Sequence, residues 1–388
     1  MVFDKLYSIV EKEIGSKSRR DSQKTEIVHA NLISNKEVRS ILEIQKPIID
    51  NVSDSLELER GKVYAVRQDT SYGLTGFKQP VIASLILKTL IDSVKRKEYN
   101  KKWIDGGNVN SSLALAYFAK KFGGDATYIM SRFFPKYILN YIKKVSHNSI
   151  QLIKAPNLKL GIERDFYQHL VNLVRNDVNF KDYQPLWHAK YGGQYSTFLG
   201  IDLIKAIEEV PDFIVSVIGA GSTIEGQAIP IKKHFKNIPK IVVPEHNKSS
   251  LLKKKKSKIH ILNDIIKDAV FDSIWFSQPP KGIPHYVIGP HYDEINPLIK
   301  SKVINQIDYS FRYDDFDWKS TSLRCYLNDL EIGNSSAANL FVSKQLAEKG
   351  YNVLTFIYEP FREFYQGYNI EGQNTIIDLL NNVTLADK

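Results

Sequence analysis

The chain has 388 residues, of which 43% are hydrophobic, 25% charged and 11% aromatic, and its formal net charge is +10. That length suits two domains, and such a composition excludes a chain that is disordered throughout. The single cysteine, Cys325, excludes an intramolecular disulfide and any zinc site needing two cysteines from one chain, so a reducing, cytoplasmic setting is expected.

No stretch reaches the ~20 apolar residues of a membrane helix, and charges interrupt the apolar part of MVFDKLYSIVEKEIG; neither a membrane span nor a signal peptide is expected. The positive charge raises nucleic acid as a partner. Its densest block, Lys253–Lys256 with Lys258, has no interleaved aromatics on which bases could stack, so it reads as a solvated loop and nucleic acid is not expected.

Residues 1–60 are polar and helix-prone and carry no chemical motif. Beyond them short β-rich runs alternate with amphipathic helices, the pattern of an α/β fold with mainly parallel sheets. Lys62–Gln68 reads as a strand, SYGLTGFKQP as a glycine-bearing turn, and VIASLILKTLIDSVKRK as a helix opened by Pro80 with its basic end at the C-terminus. A second unit runs from KKWIDGGNVNSS into the helix LALAYFAKKF, which Gly123-Gly124 closes before the strand ATYIM. A third joins the strand DFIVSVIG, the loop Gly219–Gly226, a helix through Lys232 and the strand KIVVPE. HYVIGPHYDEINPLIKSKVINQIDYSF reads as irregular chain around a short helix. The last unit is the turn EIGNSS, the helix AANLFVSKQLAEKG closed by Gly350, and the strand NVLTFIYE.

Four places in this pattern could carry chemistry. Gly219–Gly226 follows a strand and opens a helix, so its backbone N–H groups and the helix end suit a phosphate, with a plain glycine turn as the alternative. A dinucleotide site would need a third glycine where Ile224 stands, although Glu245 could serve as the ribose-binding acid. Lys78 opens a largely apolar helix, where partial desolvation would make its amine a nucleophile able to form a Schiff base; an exposed helix-start lysine is the structural alternative. The turn Gly106–Asn108 could present amides to a carboxylate, and Ser335-Ser336 either cap a helix or face a ligand. His291, Asp293 and Glu294 lie too close in sequence to build a metal site alone, so none is expected, and Tyr195 and Ser196 are candidate substrate contacts.

The order of these pieces resembles the fold-type II pyridoxal-phosphate enzymes, the cysteine synthase and cystathionine β-synthase branch of the tryptophan synthase β superfamily above all. The family's T-G-S-F-K-D-R is echoed by Leu74–Pro80, its S-G-N-T-G by Gly106–Asn110, its G-T-G-G-T-I-T-G by Gly219–Gly226 and its G-I-S-S-G-A by Gly333–Ala338. IGPHYDEINPLI resembles the family segment before the last quarter, and the likeness runs from about residue 60 to 365.

The resemblance implies two three-layer αβα domains with pyridoxal 5'-phosphate between them. Residues 1–60 would form a helical extension and crossing segment, 61–195 the domain with the cofactor lysine and substrate loop, and 196–388 the domain with the phosphate loop. It implies Lys78 as catalytic Schiff-base lysine, Asn108 at the cofactor's 3′ oxygen, Gly219, Ala220, Gly221, Ser222 and Thr223 around its phosphate, and Ser336 at its ring nitrogen. Gly107, Asn108, Val109, Asn110 and Ser111 would bind the substrate carboxylate. The implied activity is β-replacement on a serine-derived amino acid, such as O-acetyl- or O-phosphoserine, through an aminoacrylate, with a nucleophilic co-substrate and a homodimer. Elimination to a keto acid and ammonia is the alternative. Two rivals are a nicotinamide-dependent dehydrogenase and a catalytically idle binding protein of the same fold.

Departures from the pattern bear on the substrate. Asp105-Gly106 and Val109-Asn110 replace hydroxyl residues on both sides of the substrate loop, leaving Asn110, Ser111 and Ser112 to compensate. Asp105 would repel a substrate carboxylate unless it points away or meets an amine. Gln79-Pro80 stands where Asp-Arg is common, and Glu359-Pro360-Phe361 replaces an Asp-Ser-Gly pattern.

Overall fold

The computed structural model describes residues 2–15, 24–72, 75–107, 109–131, 136–146, 149–155, 163–249, 252, 260–261, 287 and 299–359. The lysine block at 253–258, the stretch holding His291, Asp293 and Glu294, Leu74, Asn108, and Pro360-Phe361 lie outside the described residues.

The polar N-terminal region is helical: α1 (Val2–Gly15), α2 (Thr25–Ser34) and α3 (Lys36–Ile41). α1 buries Phe3, Leu6 and Val10, one stripe at helical spacing, and Phe3 packs edge-on to Tyr99 and Trp103. The Asn35 side chain caps α3 by accepting from the N–H groups of Glu37 and Val38. Then follow β1 (Ile49–Asn51), β2 (Lys62–Arg67), α4 (Gln68–Tyr72) and α5 (Lys78–Lys95), the apolar helix on which α1 and α2 pack.

A four-stranded parallel sheet comes next in the chain, built from β3 (Lys102–Gly106), β4 (Asp125–Ser131), β5 (Ile150–Ala155) and β6 (Gln184–Pro185) in the order β5-β4-β3-β6. Its helices are α6 (Val109–Phe122), α7 (Lys136–Val145) and α8 (Glu163–Asn176). Side chains alternate across it: Trp103, Tyr128 and Met130 join the main core with α5 and α6, whereas Ile104 and Ile129 meet Leu170 of α8 and Phe180 on the other face. That alternation makes three layers, helix, sheet and helix.

α9 (His188–Tyr195) and α10 (Thr197–Ala206) lead into the larger unit, with β7 (Phe213–Val215), α11 (Ile229–His234), β8 (Lys240–His246), β9 (His260–Ile261), α12 (Ser301–Ile304), β10 (Tyr309–Tyr313), α13 (Asp315–Leu327), α14 (Asn334–Ala347) and β11 (Asn352–Ile357). Its seven-stranded sheet runs β1-β2-β11-β7-β8-β10-β9, parallel except for β1 against β2.

Three expectations need correction. β2 pairs with β11, Tyr64 opposite Leu354, so residues 49–67 belong to the larger sheet, and a boundary at 61 cuts through one antiparallel pair. The strand DFIVSVIG is short: Val217 leaves the ladder because its N–H donates to Asn339 Oδ1 at 2.7 Å. The loop expected to last until Gly226 is already helical at Ser222, with a wide π turn over Ile224–Ala228.

Candidate active site

Lys78 stands at the first position of α5, half-buried, with Nζ 5.6 Å from the centre of the Phe77 ring. The turn before it depends on Gly76, whose φ is +50°; a Cβ there would lie 1.9 Å from the carbonyl oxygen of Tyr358. Thr75 Oγ1 donates to Gln79 Oε1 at 2.8 Å and closes the turn. Gln79 thus helps to hold the turn before Lys78.

Ser336 lies in the first turn of α14, fully buried, and its Oγ accepts the Tyr358 N–H at 3.0 Å. That contact ends β11 at Ile357, two residues short of the expected strand. Gly219, Ala220 and Gly221 connect the end of β7 to the helical run from Ser222, and Gly221 takes φ +77°. First-turn N–H groups at such a helix start suit an anion. Ser222 is 4% exposed, and its Oγ is buried with no hydrogen-bond partner among the described residues.

One residue that sequence reasoning passed over joins these pieces. Tyr358 accepts the Phe77 N–H through its carbonyl at 3.3 Å and gives its own N–H to Ser336. Its hydroxyl lies 2.9 Å from Ser216 Oγ and also within hydrogen-bonding reach of Asn339 and Thr223; burial raises its pKa. The turn of Lys78, the helix start of Ser336 and Thr223 therefore meet at a single residue, the first two through its backbone and the third through its hydroxyl. The only trace of it in sequence is its place at the end of a strand-like run.

The substrate loop is rebuilt around other partners. Asn108 lies outside the described residues. Gly107 has φ +144° and gives its N–H to Ile129 O, Val109 is buried, Asn110 Nδ2 donates to Glu359 Oε2 at 3.2 Å, and Ser111 Oγ lies 2.5 Å from Tyr128 Oη. Ser112 bonds back to the Val109 carbonyl, so its hydroxyl does not replace the missing donors. The Asp105 carboxylate is engaged by the Gly106 N–H and by His188, a second residue that no motif announced.

Two further expectations end differently. Tyr195 and Ser196 lie in the interior: the Tyr195 carbonyl accepts from Ser84 Oγ, and Ser196 Oγ bonds to Gly193 O. The glycines before them let α9 approach the phosphate loop, since a Cβ on Gly192 would meet Ser222 Oγ at 2.8 Å. Glu245 accepts from Leu252 N and from Ser310 Oγ, which ties it to its own sheet and leaves the dinucleotide reading without its ribose acid. Among the described residues no cluster of His, Cys, Asp and Glu could hold a metal, and no helix is long and apolar enough to cross a membrane.

The donor set fits a phosphorylated aldehyde. An amine stands at one pole, and a glycine loop with an unsatisfied buried hydroxyl stands at the other. The architecture is α/β fold type II, two mainly parallel sheets with helices on their faces. No family model matches the chain, and no curated protein does. Among solved structures it is similar to the O-acetylserine-dependent cystathionine β-synthase of Helicobacter pylori, at 15% identity and TM-score 0.63 over 84% of this chain and 96% of that one. Isoform 3 of the O-acetylserine sulfhydrylase of Entamoeba histolytica matches at 14% identity and TM-score 0.63, covering 94% and 96%. A hydrogen sulfide-producing enzyme of Fusobacterium nucleatum matches at 17% identity and TM-score 0.60, covering 89% and 95%.

Proposed function

We propose that the chain is a pyridoxal-phosphate-dependent enzyme that exchanges the β-substituent of a serine-derived amino acid. The observation that carries this reading is the meeting, at Tyr358, of the Lys78 turn, Ser336 and the phosphate loop with its unsatisfied Ser222 hydroxyl. When bound, the cofactor supplies an electron sink for bonds broken at the substrate's α-carbon.

Lys78 Nζ would anchor the aldehyde and, as a free amine beside the substrate, would accept the α-proton. Gly219–Thr223 holds the phosphate through backbone N–H groups and the Ser222 and Thr223 hydroxyls. Ser336 offers the ring nitrogen a neutral hydroxyl where a carboxylate would keep it protonated. The weaker sink that results favours loss of a β-substituent over transamination. Gly107 and Val109–Ser111 would bind the substrate carboxylate and exclude water from it.

The neighbours named for O-acetylserine and hydrogen sulfide support replacement as the outcome. The same reading includes a small nucleophile as co-substrate, a homodimer and a cytoplasmic setting. The test is reconstitution with pyridoxal phosphate, followed by O-acetylserine or O-phosphoserine with sulfide. Visible absorbance that disappears in Lys78→Ala, and a new β-substituted amino acid, are expected. Wild-type protein that gains no absorbance, or absorbance unchanged in the variant, overturns the reading.

A further inference from the structure

The substrate loop lacks the hydroxyl donors of its relatives, yet a buried polar pair sits directly beneath it. Asp105 ends β3 with its side chain fully buried, and His188 begins α9 with its side chain 5% exposed. Asp105 Oδ2 accepts from His188 Nδ1 at 3.0 Å and from the His188 backbone N–H at 3.3 Å, while Oδ1 accepts the Gly106 N–H at 2.9 Å. Three hydrogen bonds on one carboxylate leave the imidazole little freedom. Trp187, just before it, is held at φ +57°, so the backbone entering the helix is also committed.

The ring edge opposite Asp105 faces the loop. A Cβ built on Gly107 would lie 2.9 Å from His188 Cε1, 3.4 Å from Nε2 and 3.1 Å from the Tyr128 hydroxyl. Imidazole, phenol and the bare Gly107 backbone therefore share one small space, and Ser111 reaches it through Tyr128. A buried carboxylate is costly unless matched by a positive partner with good hydrogen bonds. Binding a carboxylate there requires both ring nitrogens to donate, Nδ1–H to Asp105 and Nε2–H towards the loop.

We infer that His188, aligned by Asp105, is a specificity-determining residue: it recognises the α-carboxylate of the substrate in place of the absent hydroxyls. This rests on the proposed function, because it takes residues 106–111 as the substrate loop. Asp105 acts as a positioning residue. The acid that sequence alone placed against the substrate carboxylate is thereby occupied by hydrogen bonds and orients the ring that meets the carboxylate.

The test compares wild type, His188→Leu and His188→Gln, each reconstituted with pyridoxal phosphate and titrated with alanine and with ethylamine, which lacks the carboxylate. All three should keep the cofactor absorbance. The leucine variant should bind alanine about tenfold or more weakly, the worth of one hydrogen bond to a charged group, with ethylamine binding unchanged. The glutamine variant, which retains a neutral donor, should recover part of the loss. In the cofactor-free chain, the His188 ring nitrogen signals should move when acetate is added. Equal losses for alanine and ethylamine, no loss for either, or ring signals indifferent to acetate overturn the inference. Wild type without cofactor absorbance is the separate failure of the proposed function.

Discussion

Lowering the pH should unseat the N-terminal helices through one side chain, His29. It projects from α2, 4% exposed, with Nε2 3.1 Å from the Ser84 carbonyl and 2.9 Å from Ser84 Oγ. Because Ser84 Oγ donates to the Tyr195 carbonyl, it accepts from His29, and Nε2 carries the proton of a neutral ring. Burial lowers the pKa of this histidine from 6.5 to about 4, against the smaller opposing effects of Ser84 and Glu26. The unfolded chain therefore takes up the proton first. Stability from this group is complete above the unfolded value and is lost as pH falls from 6.5 towards 4. The whole shift corresponds to about 3 kcal/mol, most of which is gone by pH ~4.5. Denaturant unfolding of wild type and His29→Gln at pH 7.5 and pH 4.5 measures it, since glutamine keeps a donor towards Ser84 but does not titrate. The variant should lose about 2–3 kcal/mol less than wild type on acidification. Parallel losses in the two proteins would refute the reasoning.

Two more perturbations separate the frame of the site from its ligand contacts. Gly76→Ala places a Cβ against the Tyr358 carbonyl at a positive φ, so it should destabilise the chain by about 2 kcal/mol or more and weaken cofactor binding with it; an unchanged unfolding midpoint would contradict this. Ser222→Ala should move the two quantities oppositely. Removing a buried hydroxyl without a partner leaves the cofactor-free chain as stable or up to about 1 kcal/mol more so. Pyridoxal phosphate, measured by equilibrium dialysis, should bind about tenfold more weakly for want of one charge-assisted bond. A variant that is destabilised and binds normally would place Ser222 in the packing alone.

The sequence carried the parts of the candidate site that are set by local backbone demands. A glycine that must take a positive φ before Lys78, a glycine loop between strand and helix, and serines at a helix start each leave a trace within a few residues. Residues that act through contacts across the fold leave none. His188 meets Asp105 only because α9 begins above the end of β3, and the apolar and polar spacing around HAKYGGQY says nothing of it. Tyr358 looked like one more strand residue until its backbone and hydroxyl were seen to join Lys78, Ser336 and Thr223.

The same division holds for the fold. Alternating strand and helix patterns determined an α/β chain with parallel sheets, because hydrophobic period is a local property. Which sheet β2 joins was decided by its pairing with β11, nearly the whole chain away, and the short β7 by a buried asparagine of α14 that captures its next N–H. Asp105 shows the difference most sharply: its charge was readable from the sequence, but whether it repels a substrate or holds an imidazole depends on direction, and direction exists only once β3 and α9 are packed together.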